Sequence, residues 1–373
     1  MWRRRLKLGT YFRIGVYVHW SFALLVAYVA YAGYQDGVVG TVFGVTLLLG
    51  MFLCVTLHEY GHALMARRFG IETMDITLFP IGGVARLMKI PRIPWQEFLV
   101  AVAGPAVNVV IVLFLAAVLF VFSGFGLPSL GELVTQPDAI DRYIETLNSP
   151  TPLGYLMSMM LVNTALILFN MIPAFPMDGG RVLRSILAMG IEYRRATRIA
   201  SYIGVVCAVV MGSLALYNGV VTAGLIAVFI CYAGLSEARQ VDAIEPLRDL
   251  TIRDAMLHQP PFLTMETELG ELLPTLRSCP TTAVPVVGLD DFVVGILALE
   301  DVSAALREGA DPTTTVGQLA RHDAPILSPE ESLESVVTRP LDGCRQFAVA
   351  DDRGRLVGLL DLDTLRVRSG LVG

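Results

Sequence analysis

Leu57-His58-Glu59-Tyr60-Gly61-His62 lies inside an apolar run from Val38 to Met65 and carries an H-E-x-x-H pattern. On a helix, residues four apart share a face about one turn up. His58 and His62 can therefore point two imidazoles at one ion, with Glu59 close enough to reach a water beside it. Two histidines and a carboxylate are costly in a membrane-length helix unless they pair or bind something. The alternative is two helix-face histidines at a membrane boundary.

The surroundings are apolar throughout the first two-thirds of the chain. The 373 residues are 54% hydrophobic, with mean hydropathy +0.61. That is too apolar for an ordinary soluble enzyme and points to a polytopic membrane protein. The charge is uneven. From Glu237 onward there are 12 Lys+Arg and 23 Asp+Glu, against 16 and 11 before it. A greasy, mildly basic part thus gives way to an acidic, soluble one. The five cysteines, Cys54, Cys207, Cys231, Cys279 and Cys344, are odd in number and scattered, which suits a reduced cytosolic face. Basic residues sit at membrane edges, and no nucleic-acid partner is expected.

Hydropathy predicts six transmembrane helices. The first covers about Ile14 to Tyr34, behind the basic start Met1-Trp2-Arg3-Arg4-Arg5-Leu6-Lys7. A signal peptide cleaved near Ala30-Tyr31-Ala32 is the alternative, but the run is longer than a usual signal core. His19 and Trp20 read as interfacial residues. The second span, about Val38 to Arg68, holds the H-E-x-x-H near its cytoplasmic end. The stretch from Ile71 to Leu87, with Pro80 and Gly82-Gly83, reads as a short strand and hairpin at the membrane edge. The remaining spans are about Glu97 to Phe122, Leu153 to Ile172, Ala200 to Tyr217 and Val220 to Leu235. Five arginines between Arg181 and Arg198 place that loop inside, and the polar loop Ser123 to Pro152, with Arg142 alone, is outside. The N-terminus and the C-terminal region are then cytoplasmic, and the chain is a multi-pass protein of the cell membrane.

Residues 1–236 thus form a mainly α membrane domain, and 237–250 a charged linker. Residues 251–369 form an α/β region of two similar halves, about 251–309 and 315–368. Ala283-Val284-Pro285-Val286-Val287 and Val293 to Asp301 in the first half correspond to Phe347-Ala348-Val349-Ala350 and Gly354 to Asp363 in the second. A repeat of this size is one supersecondary module used twice.

A catalytic zinc keeps three protein ligands and an open position. Cys54 shares the histidine face, but eight residues from His62 is about 12 Å along a helix. Zinc bonds of about 2.0–2.3 Å exclude it, and Cys54 reads as a small buried hydrophobe. Asp178 follows a span that should end on the same side, and neighbouring prolines and glycines let its backbone bend toward the histidines. An ordinary N-cap before Gly179-Gly180-Arg181 is the other reading.

As an ordered set, these motifs resemble the site-2 protease family of zinc-dependent intramembrane proteases. His58-Glu59-Tyr60-Gly61-His62 matches H-E-x-G-H. Asn170-Met171-Ile172-Pro173-Ala174-Phe175-Pro176-Met177-Asp178-Gly179 matches N-x-x-P-x-x-x-x-D-G. Gly104-Pro105 with Asn108 matches G-P-x-x-N, and Gly82-Gly83 the family's hairpin element. The resemblance covers about Ile14 to Leu235. It implies one Zn2+ held by His58, His62 and Asp178, Glu59 as the acid/base, and Asn170 as a polar stabiliser. It also implies substrate positioning by Gly82, Gly83 and Asn108.

The two C-terminal halves resemble a tandem CBS domain pair. Such modules, when they bind adenine nucleotides, often show G-h-h-T/S-x-x-D, where h is hydrophobic. Gly295 to Asp301 has the aspartate but Ala298 for the hydroxyl residue; Gly358 to Thr364 ends on Thr364 and carries Asp361, whose charge opposes a phosphate. Asp301 and Asp361 are the candidate nucleotide contacts, and homodimerisation or docking is the other role. Expected substrates are single-span proteins in the lipid bilayer, such as membrane-bound signalling or anti-sigma-type regulators, whose cytosolic part is released. The rival function is a CBS-regulated transporter or channel with an intramembrane metal site.

Overall fold

Helix α2, Gly37–Arg68, runs unbroken for 32 residues and carries the H-E-x-x-H in its last third. The computed structural model describes residues 5–80, 82–87, 92–123, 137–272, 282–338 and 344–363. Met1 to Arg4, residues 124–136 of the expected outer loop, Thr364 and the end of the second C-terminal half lie outside the described residues. The chain divides into two compact units, Met1–Val241 and Asp242–Gly373.

The first unit corrects the expected N-terminal span. Ile14 to His19 is not helical. Strands β1, Arg5–Tyr11, and β2, Ile14–His19, pair antiparallel, and helix α1 covers only Phe22–Gly33. Hydropathy alone cannot tell a short buried strand from a helix. The alternation of Ile14, Val16 and Val18 with Gly15, Tyr17 and His19 is the local signal, because β-branched residues suit a pleated, half-buried surface. Ile14 and Val16 are buried with Ile76 and Leu78 against Phe52, Tyr60 and Ala63 of α2. The 12 residues of α1 reach about 18 Å, short of the ~30 Å bilayer core. With the turn at Tyr34–Asp36 and α2, they form one apolar stretch, Phe22–Arg68. Five helical stretches, rather than six, are long and apolar enough to cross a membrane among the described residues: Phe22–Arg68, Pro94–Val121, Pro152–Asn170, Tyr193–Tyr217 and Val221–Leu247.

The strands after α2 belong to a larger sheet than two strands. β3, Thr73–Phe79, runs parallel to β2, and β4, Gly82–Leu87, pairs antiparallel with β3, in the order β1-β2-β3-β4. Asp75 of β3 is buried and ties the sheet laterally: Arg5 of β1 donates to it at 2.6 Å, and Arg86 of β4 at 2.8 Å through Nε.

Helices α3, Pro94–Ser123, and α5, Pro152–Asn170, pack with α2 around Cys54, Leu115, Leu119, Met157, Met159 and Met160. Part of the expected outer loop is itself a helix, α4, Pro137–Asn148, whose Tyr143 and Leu147 close over that core. The short helix α6, Asp178–Ala188, precedes α7, Tyr193–Tyr217, and α8, Val221–Ile244. Small residues, Ala208 and Ala227, let α7 and α8 approach closely.

In the second unit the two repeated halves appear as two three-stranded sheets. β7, Ala283–Val287, and β8, Val293–Ala298, form one hairpin; β9, Gln346–Ala350, and β10, Leu356–Asp361, form the other. β5, Leu257–His258, precedes the first hairpin in sequence yet pairs with β10 of the second, while β6, Leu263–Thr264, pairs with β7. The halves are therefore interlaced, and neither sheet is complete without a strand from the segment preceding β7.

Candidate metal centre

His58 and His62 are both buried on α2, one turn apart, and Asp178 is buried at the first position of α6. Their nearest atoms form a small triangle. His58 Nε2 and His62 Nε2 are 3.1 Å apart, and Asp178 Oδ2 lies 3.1 Å from the first and 3.2 Å from the second. Tetrahedral ligands at zinc distances of 2.0–2.1 Å stand about 3.3 Å from one another, so the triangle has the size a zinc ion needs. Among the described residues these three are the group of His, Cys, Asp or Glu so arranged.

The far side of each ring explains why the Nε2 atoms face inward. His62 Nδ1 lies 2.7 Å from the Val100 carbonyl oxygen. A carbonyl only accepts, so this Nδ1 carries a proton and donates. His58 Nδ1 lies 2.5 Å from Asn108 Oδ1. With both Nδ1 atoms donating, two nitrogen lone pairs and a carboxylate oxygen point at one place. Such a donor set needs a cation between its members.

Space for the ion is set by Gly104 of α3. A Cβ built there would overlap His62 Nε2 and stand 2.8 Å from His58 Nε2. Any side chain at this position would crowd both Nε2 atoms.

Glu59 is half-buried beside the histidines. β4 runs past it: a Cβ on Gly83 would lie 3.1 Å from Glu59 Cγ and 3.6 Å from its Oε1. Gly83 thus lies against Glu59, and Gly82, with φ +140°, opens the strand. Asn170 is the last residue of α5, half-buried, eight positions before Asp178. Asn108 lies on the far side of the His58 ring from Asp178. It is fully buried, with one amide atom on His58 and the other donating to Asn163 at 2.8 Å.

In the second unit, Asp301 and Asp361 are engaged within the chain. Arg321 meets Asp301 at 2.7 and 2.9 Å. Asp361 accepts from the Asp363 amide at 3.0 Å and from the Thr282 hydroxyl at 3.4 Å.

Comparison with known proteins bears on this geometry. The profile of peptidase family M50 matches residues 46–211, a segment holding all three candidate ligands. A relative from Synechocystis sp., named as a zinc metalloprotease, is 30% identical over 95% of this chain and 93% of its own. The chain belongs to peptidase family M50. A zinc metalloprotease of Methanocaldococcus jannaschii is 29% identical over 88% of this chain and 86% of its own. The solved site-2 protease of Methanocaldococcus jannaschii aligns with 63% of this chain and 95% of that one, at 30% identity and TM-score 0.43. CBS domain profiles match residues 252–308 and 316–368. This M50 peptidase is thus a zinc metalloprotease, a multi-pass membrane protein with tandem CBS domains.

One buried polar residue near the centre escapes motif reading. Asn163 is fully buried in α5, touching Asn108 and Cys54. Its signal was available: an amide in the middle of an apolar span is a functional candidate by default.

Proposed function

We propose that this peptidase hydrolyses peptide bonds in membrane-embedded segments of single-span proteins, near the cytoplasmic face, and so releases their cytosolic parts. The observation that carries the reading is the triangle of His58, His62 and Asp178 beside Glu59, on a helix flanked by apolar spans. His58, His62 and Asp178 would hold zinc, which when bound acidifies water and polarises a scissile carbonyl. Glu59 takes the proton of the attacking water and returns it to the leaving amine. Asn170 donates to the developing oxyanion or positions the substrate; one such donor is typically worth about 2.7–4 kcal/mol.

A substrate helix has its backbone groups paired internally and must unwind before attack. β4 ends the sheet order and lies against Glu59 at Gly83, so an unwound segment can add to it as a further strand. Gly82 and Gly83 then position the substrate. The arginines at 181, 194, 195 and 198 support a cytoplasmic setting for this end of the bundle, with the N-terminus and the CBS pair on the same side. Arg184 belongs to a different class: it is fully buried and paired. The CBS pair regulates the protease or its assembly, with an adenine nucleotide or a second copy of the chain as its ligand.

Cleavage of a single-span reporter in proteoliposomes tests the assignment. Glu59→Gln should lower turnover by about 10²–10⁴-fold. Turnover equal to that of the unsubstituted enzyme would remove Glu59 from the reaction.

A further inference from the structure

The two candidate histidine ligands are oriented by different means. His62 donates its Nδ1 proton to a backbone carbonyl, Val100 O, at 2.7 Å. That acceptor cannot turn round. His58 donates to a side-chain amide, Asn108, at 2.5 Å. A terminal amide presents oxygen on one side and NH2 on the other, and either can face an imidazole. With the NH2 facing it, His58 would have to accept at Nδ1 and carry its proton on Nε2, toward the zinc position. Something must therefore hold the Asn108 amide one way round.

Asn163 does this. Its Nδ2 donates to the Met159 carbonyl oxygen at 2.8 Å and to Cys54 Sγ at 3.3 Å. Reversing Asn163 would set its Oδ1 against the Met159 carbonyl, two acceptors face to face. Its Oδ1 consequently points at Asn108, accepting from Nδ2 at 2.8 Å, and Asn108 must turn Oδ1 to His58. The geometry points to Asn163 as a positioning residue: through Asn108 it relays the polarity of the Met159 backbone carbonyl to His58 and fixes the tautomer in which His58 can bind zinc. Asn163, Asn108 and His58 are all buried, Asn163 and Asn108 completely, so no bulk water competes for these bonds.

Stability alone is a weak reason for two asparagines here. Hydrogen bonds between helices in a membrane protein are individually weak. Orienting a ligand is a larger effect: losing a group that orients a metal-bound histidine typically costs 10–100-fold in metal affinity.

The inference rests on the proposed zinc centre, and the experiment separates the two. Zinc affinity of the full chain in detergent is measured by competition with a chromophoric chelator, for Asn163→Leu, Asn108→Asp and the double variant. Asn163→Leu removes the anchor and should weaken zinc 10–100-fold. Asn108→Asp presents oxygen to His58 whichever way it turns, so Asn163→Leu added to it should change affinity less than about threefold. In the metal-free protein, at a pH where the His58 ring is neutral, its 15N signals should show Nδ1–H alone in the unsubstituted chain and a tautomer mixture in Asn163→Leu. An equal loss in both backgrounds would mean that Asn163 only packs, and no loss in either would equally overturn the relay. Unsubstituted protein that binds no zinc would overturn the centre itself. Should Asn163→Leu fail to fold, Asn163→Ser, too short to reach Asn108, is read in the same way.

Discussion

At the scale of single residues, the centre is defined as much by what is missing as by what is present. Gly104 supplies no chemistry, yet its lack of a side chain leaves room beside the Nε2 atoms of His58 and His62. Gly104→Ala should cost at least tenfold in zinc affinity while leaving the helical content of the bundle unchanged, read by chelator competition and far-ultraviolet circular dichroism. Zinc binding equal to the unsubstituted chain would show that the histidine rings can withdraw from a methyl group. The motif containing this glycine was visible in the sequence as Gly104-Pro105 and Asn108. Its physical meaning was not, because which helix face meets which is a tertiary fact. The same limit explains Asn108, legible as important in the sequence while its contact with His58 was not. It also explains Asn163, whose partner lies 55 positions away.

At the scale of elements, α2 and the strands β3 and β4 were legible because their signals are local: a long apolar helical run, then alternation broken by Pro80 and two glycines. The N-terminal strands were not, because Ile14 to His19 is apolar enough to extend the following helix and its pairing with β3 is non-local. The sheet they make has an electrostatic tie that can be tested. Burial would raise the Asp75 carboxyl, but hydrogen bonds and charge from Arg86 and Arg5 outweigh it and hold its pKa below the usual value. Its folded pKa lies under the unfolded value of about 3.9, so its stabilising contribution is complete above that pH and is lost as pH falls through the folded pKa. The difference in melting temperature between the unsubstituted chain and Asp75→Asn should be constant from pH 5 to 8 and shrink below about pH 4. A difference that ignores pH over that range would argue that Asp75 acts through packing alone.

At the scale of the whole first unit, a single buried cation fastens the helices around the centre. Arg184 of α6 donates to Glu97 of α3 at 2.8 and 2.5 Å and to Glu237 of α8 at 2.6 Å, and its guanidinium lies 4.9 Å from the centre of the Phe175 ring. α6 also begins with Asp178, so the same short helix is held at one end by this clamp and offers the candidate ligand at the other. Arg184→Met leaves two carboxylates without their counter-charge and should destabilise the unit by about 3–5 kcal/mol, read by denaturant unfolding. Arg184→Lys keeps the charge but loses the fork, and should fall between. Stability unchanged by Arg184→Met would show the clamp to be dispensable. In the sequence Arg184 looked like one more loop arginine marking the inner side; only its complete burial reveals the other role.

The candidate ligands are 4 residues apart on α2 but 116 and 120 residues from Asp178 along the chain. During synthesis at about 5–20 residues per second, the aspartate leaves the ribosome roughly 6–24 s after the histidines. Asn163, which turns His58 to face the ion, also emerges late. A nascent chain that has inserted α2 and α3 therefore carries the protease signature without a competent centre. On the proposed assignment the centre is complete only once α5 and α6 have joined the bundle.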